Sequence, residues 1–322
     1  MSSRRDSGVN RRTFMASAGA GAAALALHGR SSRAAGPNDR IRLAVIGING
    51  RGVAHIDAFA KRKDVDLATL CDIDTRLFDL RVKHALLRSG RTPTTVQDLR
   101  RVFDDKNIDA VSIATPNHWH ALAAVWACQA GKDVYVEKPV SHTFIEGRKI
   151  VEAARKYGRI VQAGTQNRSI GGVIEAVAQL RAGVIGEIYM AKGLCYKPRG
   201  SIGHKPDGNV PAGVDYNIWL GPAAERPFNP NRFHYEWHWN WDYGNGDLGN
   251  QGIHQMDLAR WGLGKNEFPK AVVASGGRFG YSDDGQTPNT LHVGFEFDDC
   301  ELQFEVRGLL TNDEAKVKIG DI

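Results

Sequence analysis

The sequence predicts an α/β protein, a doubly wound parallel sheet followed by an α+β domain with an open, mostly antiparallel sheet. Three observations carry that prediction. Short apolar runs at Ile41–Ile46, Val65–Cys71, Ala110–Ala114 and Asp133–Val136 alternate with helical stretches, the pattern of buried parallel strands joined by crossover helices. The first run flows directly into a glycine-rich turn, Gly47-Ile48-Asn49-Gly50-Arg51-Gly52, and then a helix. Beyond residue 166 the rhythm changes to Gly- and Pro-rich stretches and late segments rich in β-formers, Lys270–Arg278, Thr290–Phe297 and Glu301–Val306.

The 322 residues suffice for two domains, and 42% hydrophobic and 24% charged residues are ordinary for a globular chain. The net charge of +6 is local. Residues 1–35 hold six arginines against Asp6 alone, so five of the six charges belong to that segment and one to the rest. The folded part thus lacks the basic balance of a nucleic-acid or membrane binder. Within the segment, Arg11-Arg12-Thr13-Phe14 precedes an Ala-rich run too short and too weakly apolar to span a bilayer. It reads as a twin-arginine export signal, with Ser32-Arg33-Ala34 offering small residues for cleavage. This predicts a partner in the twin-arginine export machinery and a periplasmic or extracytoplasmic location. An exported dinucleotide enzyme meets little free cofactor, so its cofactor should be tightly bound. The expected organisation is a signal at 1–35, a dinucleotide domain at 40–165 and a substrate domain at 166–322. The four cysteines show no paired spacing, and Cys71 and Cys128 read as buried thiols.

A strand, a glycine turn and a helix in that order form the context of a dinucleotide-binding loop. Gly47 permits the turn, and the helix N-terminus offers free N–H groups to a pyrophosphate. Asn49 stands at the middle glycine position, where its tolerance of unusual backbone angles and the freedom of Gly50 would serve. Asp72 ends the second strand at the offset of a ribose-binding carboxylate, which predicts NAD rather than NADP, with Arg76 softening that preference. Asp72 also stands where a helix cap would. Thr115-Pro116-Asn117-His118-Trp119-His120 ends another strand, with Asn117 and His120 expected to face the cofactor crevice. Asp133–Val136 runs into Glu137-Lys138-Pro139, which places Lys138 at the carboxyl end of a parallel strand, where ligands of such sheets sit. Burial there lowers a lysine's pKa and suits it to proton transfer. Thr143 and Glu146 form a capping box for the next helix. A last strand, Arg159 to Ala163, leads into Gln166 and Arg168, candidates for substrate contact.

In the second half, His254 lies near the start of a helix, with Asn250 and Asp257 within a turn of it, and suits general acid–base work. The aromatic run Phe233 to Tyr243, including Trp239 and Asp242, is the expected sugar-facing surface, since flat rings stack on sugar C–H faces. If that run is a strand, His234, Glu236 and His238 share one face. Incidental histidines on aromatic strands are the commoner case, and no metal is expected.

Together these residues resemble the Gfo/Idh/MocA oxidoreductases, the family of glucose–fructose oxidoreductase and inositol dehydrogenase. The resemblance rests on the loop at 47–52, Thr115-Pro116-Asn117-His118, Glu137-Lys138-Pro139 and Gly252-Ile253-His254, and covers the chain from Ile41 onward. It implies an N-terminal Rossmann domain and a C-terminal domain whose open sheet often forms a homo-oligomer interface. It implies Lys138 and His254 as active-site residues, with Gly47, Asn49, Gly50, Arg51, Gly52, Asp72, Thr115, Asn117, His120, Glu137 and Lys138 around NAD. Many members carry Asp four positions before the histidine. Asn250 stands here, which shifts weight onto Lys138, His254 and nearby Asp242 or Asp247. The implied reaction is hydride transfer at a sugar or cyclitol hydroxyl carbon. Its rival is redox-neutral cleavage of a glycoside through a transient keto-sugar, and a cofactor-binding protein without catalysis is a third reading. Relatives continue past Asp321-Ile322, so the chain is expected to lack the last strands and helix.

Overall fold

The computed structural model describes residues 40–309. The twin-arginine segment lies outside these residues.

Six parallel strands form the first sheet: β1 (Ile41–Ile46), β2 (Val65–Cys71), β3 (Thr94–Val96), β4 (Ala110–Ile113), β5 (Asp133–Glu137) and β6 (Val161–Gly164), in the order β3-β2-β1-β4-β5-β6. The crossover helices are α1 (Gly50–Ala60), α2 (Phe78–Ser89), α3 (Leu99–Asp104), α4 (Asn117–Gln129) and α5 (Phe144–Tyr157). Side chains alternate across a strand, so β1 feeds two cores. Leu43 and Val45 pack with Ile56 of α1 and Ala85 of α2. Ala44 and Ile46 pack with Val102 of α3, Ala124 of α4 and Ile150 of α5. Burial on both faces explains why the strands read as apolar runs. The strand order reverses between β1 and β4, and the crevice outside their carboxyl ends is the usual ligand position in such sheets. The predicted capping box is present, with Thr143 accepting from the Glu146 N–H and the Glu146 carboxylate accepting from the Thr143 N–H.

The second half carries α6 (Gly171–Arg181), β7 (Met190–Cys195), α7 (Tyr216–Leu220), α8 (Gly246–Asn250), α9 (Gly252–Leu263), β8 (Ala271–Gly277), β9 (Thr290–Glu296) and β10 (Glu301–Arg307). Its sheet runs β7-β10-β9-β8, with β7 parallel to β10 and the other pairs antiparallel. Helix α9 covers one face at close range. A Cβ on Gly252 would stand 2.5 Å from the Phe304 ring, and one on Gly193 would stand 3.0 Å from the Gln255 Cβ. β8 is exposed along most of its length, Val272 and Val273 included.

The aromatic run does not form a strand. It winds through 3₁₀ turns at Pro230–Arg232 and Glu236–Trp239, and His234 takes a positive φ of 48°. Phe233 and Tyr243 pack with Trp219 and Phe228 instead. The alternation that would have set His234, Glu236 and His238 on one face is therefore absent. Among the described residues no group of three or more His, Cys, Asp or Glu side chains is placed to hold a metal ion.

Gly252→Ala should push α9 off Phe304 and lower stability by about 1–3 kcal/mol, the usual cost of overpacking. Thermal unfolding measures it, and an unchanged transition would show that the helix shifts freely.

Candidate active site

A cavity of about 380 Å³ opens at the switch point. Its floor is the turn after β1, its walls are the ends of β2, β4 and β5, and its roof is second-domain aromatics.

The floor depends on two glycines. Gly47 has φ 83°, and a Cβ there would lie 2.7 Å from the Ala114 carbonyl. A Cβ on Gly52 would lie 1.9 Å from the Gly47 oxygen, so the helix can approach the turn only without a side chain. Gly50 meets nothing within 4 Å. Asn49 takes φ −78° and ψ −146°, outside the standard helical and extended regions, in keeping with its tolerance of unusual backbone angles. Its amide also lies 3.3 Å from His234 Nδ1, joining the floor to the roof. No side chain caps the first turn of α1. Its N–H groups remain free for an anion.

Asp72 lines the cavity and accepts the backbone N–H groups of Ile48 at 2.8 Å and Asp74 at 3.0 Å. Burial outweighs these bonds and raises its pKa to about 6. The capping role belongs to Asp74, which accepts the Arg76 N–H at 3.1 Å. Asp74 also grips the Arg76 guanidinium with two bonds of 2.7 Å, so Arg76 is committed there.

Glu137 and Lys138 end β5 side by side with different tasks. One Glu137 oxygen accepts Arg51 Nε at 2.6 Å and lies 3.0 Å from His55 Nε2, while the other accepts the Lys138 N–H. His55 Nδ1 meets Ser112 Oγ at 2.8 Å, which carries the network to β4. Burial alone would raise the Glu137 pKa. The hydrogen bonds from His55 and Arg51, with the Arg51 charge, hold it down at about 2. Glu137 lines the cavity, where the sequence reading expects it, and also braces α1 against β5. Lys138 Nζ donates to the Asn250 carbonyl at 2.7 Å and lies 3.4 Å from its side-chain oxygen. Burial, with the Arg51 and Lys197 charges, lowers the Lys138 pKa against the opposing pull of Glu137.

His254 sits half-buried in the first turn of α9 and is not in the cavity wall. Burial and the Lys138 charge press its pKa down to about 4, so its imidazole is neutral at pH 7 and able to accept a proton. Asn250 points to Lys138.

Thr115, Asn117 and His120 all border the cavity. Thr115 Oγ1 is buried without a partner. His120 faces the cavity as expected and is also held between two loops. Its ring nitrogens lie 2.6 Å from the Pro139 oxygen and 2.7 Å from the Thr115 oxygen, bridging the loops after β5 and β4. The candidate substrate residues lie outside the cavity wall. Arg168 is clamped by Asp257 at 2.8–3.0 Å and rests over Trp261. Asp242 pairs with Arg226 at 2.5 Å. Trp239 is buried, donating to Glu236 with Arg199 over its ring. Gln166 Oε1 is buried without a partner. The aromatics that do form the roof are Trp219, Phe233, Tyr235 and Trp237, with His234 and His238. The His55–Ser112 brace leaves no local sequence signal, since its partners are 57 residues apart. Lys197, two residues beyond β7, carries one that the sequence reading leaves unused, its place past the end of a strand.

The residues present fit a dinucleotide. A glycine cradle that a Cβ would fill, an uncapped helix start, a carboxylate at the end of β2 and an unpartnered Thr115 hydroxyl line one cavity. The fold and site therefore define a two-domain α/β protein with a dinucleotide-binding cavity. Residues 41–165 match the family model described as "Oxidoreductase family, NAD-binding Rossmann fold", and 194–295 match its companion, "Oxidoreductase family, C-terminal alpha/beta domain". The chain belongs to the Gfo/Idh/MocA oxidoreductase family.

A Shewanella putrefaciens protein named "Glycosyl hydrolase family 109 protein" is 34% identical over 122 residues, 37% of this chain and 27% of that protein. A Shewanella sp. (strain ANA-3) protein named "Glycosyl hydrolase family 109 protein 1" is 30% identical over 172 residues, 46% of this chain and 37% of that protein. The chain thus matches well under two thirds of these relatives' length. GenD2 from gentamicin A biosynthesis, solved with NAD, superposes with a TM-score of 0.65 at 21% identity, covering 88% of this chain and 70% of that one. The WlbA dehydrogenase of Chromobacterium violaceum, solved with NADH and UDP-GlcNAcA, gives 0.64 at 22%, covering 86% and 70%. At that identity the likeness shows the fold.

Glu137→Gln should destabilise the protein by roughly 3 kcal/mol, because it leaves Arg51 and His55 without their shared anion. The folded-state pKa of Glu137 is depressed, so its contribution is full above the ordinary glutamate range and is lost as pH falls toward about 2. Denaturant titrations of both proteins should therefore draw together as the pH falls through the ordinary glutamate range and converge only near pH 2. A pH-independent gap would mean that the carboxylate's charge is immaterial.

Proposed function

We propose that the protein is an NAD-dependent oxidoreductase that moves hydride to or from a hydroxyl-bearing carbon of a sugar or cyclitol. The observation that carries this reading is the single cavity bordered by the Gly47 turn, Asp72 and Lys138. The turn and the open start of α1 would hold the pyrophosphate, and Asp72 would accept the adenosine ribose hydroxyls. The Asp72 charge and the committed Arg76 both disfavour a 2′-phosphate, which supports NAD over NADP. When bound, the nicotinamide supplies the hydride acceptor or donor. Lys138 would donate a hydrogen bond to the reacting oxygen and stabilise its developing charge, with neutral His254 taking the hydroxyl proton.

The roof supports tight cofactor binding. Segment 213–215 is stitched to the end of β2 through Thr75 N–H to Gly213 and Asp215 N–H to Ile73, and His234 reaches Asn49. A held cofactor suits the second reading, redox-neutral glycoside cleavage through a transient keto-sugar, which the names of the curated relatives favour. Both readings share the first hydride transfer. The exposed β8 supports a homo-oligomer built on the second sheet. Export by the twin-arginine machinery, and hence a periplasmic place of work, rests on Arg11-Arg12-Thr13-Phe14.

The deciding experiment is mass spectrometry of small molecules released on denaturation, beside a screen of sugars, cyclitols and glycosides. Release of NAD, and its reduction by a sugar, supports dehydrogenation. Glycoside cleavage without net NADH selects the redox-neutral reading. A protein that carries no dinucleotide, binds none when it is added and transforms nothing in the screen sinks the proposal.

Lys138→Met should cut turnover about a hundredfold while leaving NAD affinity nearly unchanged. A large loss of NAD affinity would recast the lysine as a cofactor anchor. Asp72→Ala should weaken NAD and improve the relative binding of NADP. The ribose needs an ionised Asp72, so NAD affinity should hold above pH 6 and fall as the pH drops through about 6. Titration calorimetry across pH tests this, and a flat profile counts against the ribose contact.

A further inference from the structure

Positive charge around Lys138 exceeds what hydride transfer requires. Four cationic side chains gather in this region: Arg51 and Lys197 act on Lys138, and Arg199 acts with Lys138 on His238. Two are neutralised, Arg51 by Glu137 at 2.6 Å and Arg199 by Asp247 at 2.7 Å. The other two rest on neutral acceptors. Lys138 donates to the Asn250 carbonyl and Lys197 to the Gln251 side-chain oxygen, each at 2.7 Å. These are consecutive residues at the junction of α8 and α9, so the chain itself holds the ammonium groups near one another. Among the described residues no carboxylate lies in ion-pairing range of either lysine. An ammonium has three donors, and Lys197 spends one on Gln251. The Lys197 charge also bears on both Lys138 and His254.

An alkoxide developing on the reacting oxygen accounts for Lys138 alone. An oxidised nicotinamide would add a further positive charge beside it. The nearby carboxylates, Glu137 and Asp247, are already engaged. Two partly buried cations without an anion are a costly arrangement unless a ligand brings one. The geometry points to an anionic sugar as substrate, its carboxylate or phosphate bound by Lys197 while Lys138 serves the hydroxyl being oxidised. This deepens the proposed sugar oxidoreductase and rests on that reading.

The test uses NAD-loaded protein and matched pairs: glucose with glucuronate and glucose 6-phosphate, galactose with galacturonate, mannose with mannuronate. Titration calorimetry gives each affinity, and NADH formation is followed separately. At least one acidic member should bind roughly tenfold or more tightly than its neutral twin, with the ratio shrinking as salt is added. A uronate preference identifies a carboxylate and a phosphate preference identifies a phosphoryl group. Lys197→Gln should bring the ratio close to one, Lys197→Arg should retain most of it, and Lys83→Gln, the same charge change on α2, should leave it intact. Thermal unfolding confirms that the variants are folded. Equal affinities within every pair, no acid binding anywhere, or a preference that survives in folded Lys197→Gln overturns the inference. Absence of NADH with every sugar, while the Lys197-dependent ratio stands, instead removes the oxidoreductase reading and leaves an anion-binding site.

Discussion

The buried carboxylate of Glu137 is the constraint on which the site depends. It ends β5 and reaches across to Arg51 and His55 on α1, and His55 continues to Ser112 on β4. The helix that opens the glycine turn is thereby fixed against the strand that ends in Lys138. Without the Arg51 charge and the hydrogen bonds from Arg51 and His55, burial would push this carboxylate toward its neutral form. With them it stays ionised, and the glycine turn is tied to the strand of the lysine by contacts of 2.6 and 3.0 Å. A buried ion pair of this kind contributes little net stability compared with apolar packing. Its value is positional, since it holds α1 and the end of β5 in one fixed arrangement.

The second domain completes what the first begins. Loop 213–215 lies along the end of β2, the aromatic segment covers the glycine turn, and Asn250 receives Lys138. The roof is made of 3₁₀ turns, which lets closely spaced aromatics point in several directions. Phe233 and Tyr235 line the cavity, while Trp239, four residues further on, lies buried beneath Arg199.

What was legible in the sequence is what local rules govern. Strands buried on both faces announce themselves as apolar runs, and a turn that excludes a Cβ announces itself as glycine. The order of β1, turn and α1, the lysine at the end of β5 and the late antiparallel strands all followed from such rules. What stayed hidden depends on partners far apart along the chain. Arg168 reads as free for substrate until Asp257, 89 residues on, is seen to hold it. The aromatic run has strand-like composition, and only tertiary packing around Trp219 winds it into turns. The unusual backbone of Asn49 follows from its residue type, but its bond to the roof, across 185 residues, does not.

The contact between Lys138 and position 250 is made chiefly to the main chain, at 2.7 Å, with the side-chain oxygen more distant at 3.4 Å. A main-chain acceptor is present whichever residue occupies that position. The anchoring of the lysine is therefore insulated from substitution there, and the side chain is left to adjust the lysine's charge state. Exchange of the amide for an acid at position 250 would leave this main-chain contact in place.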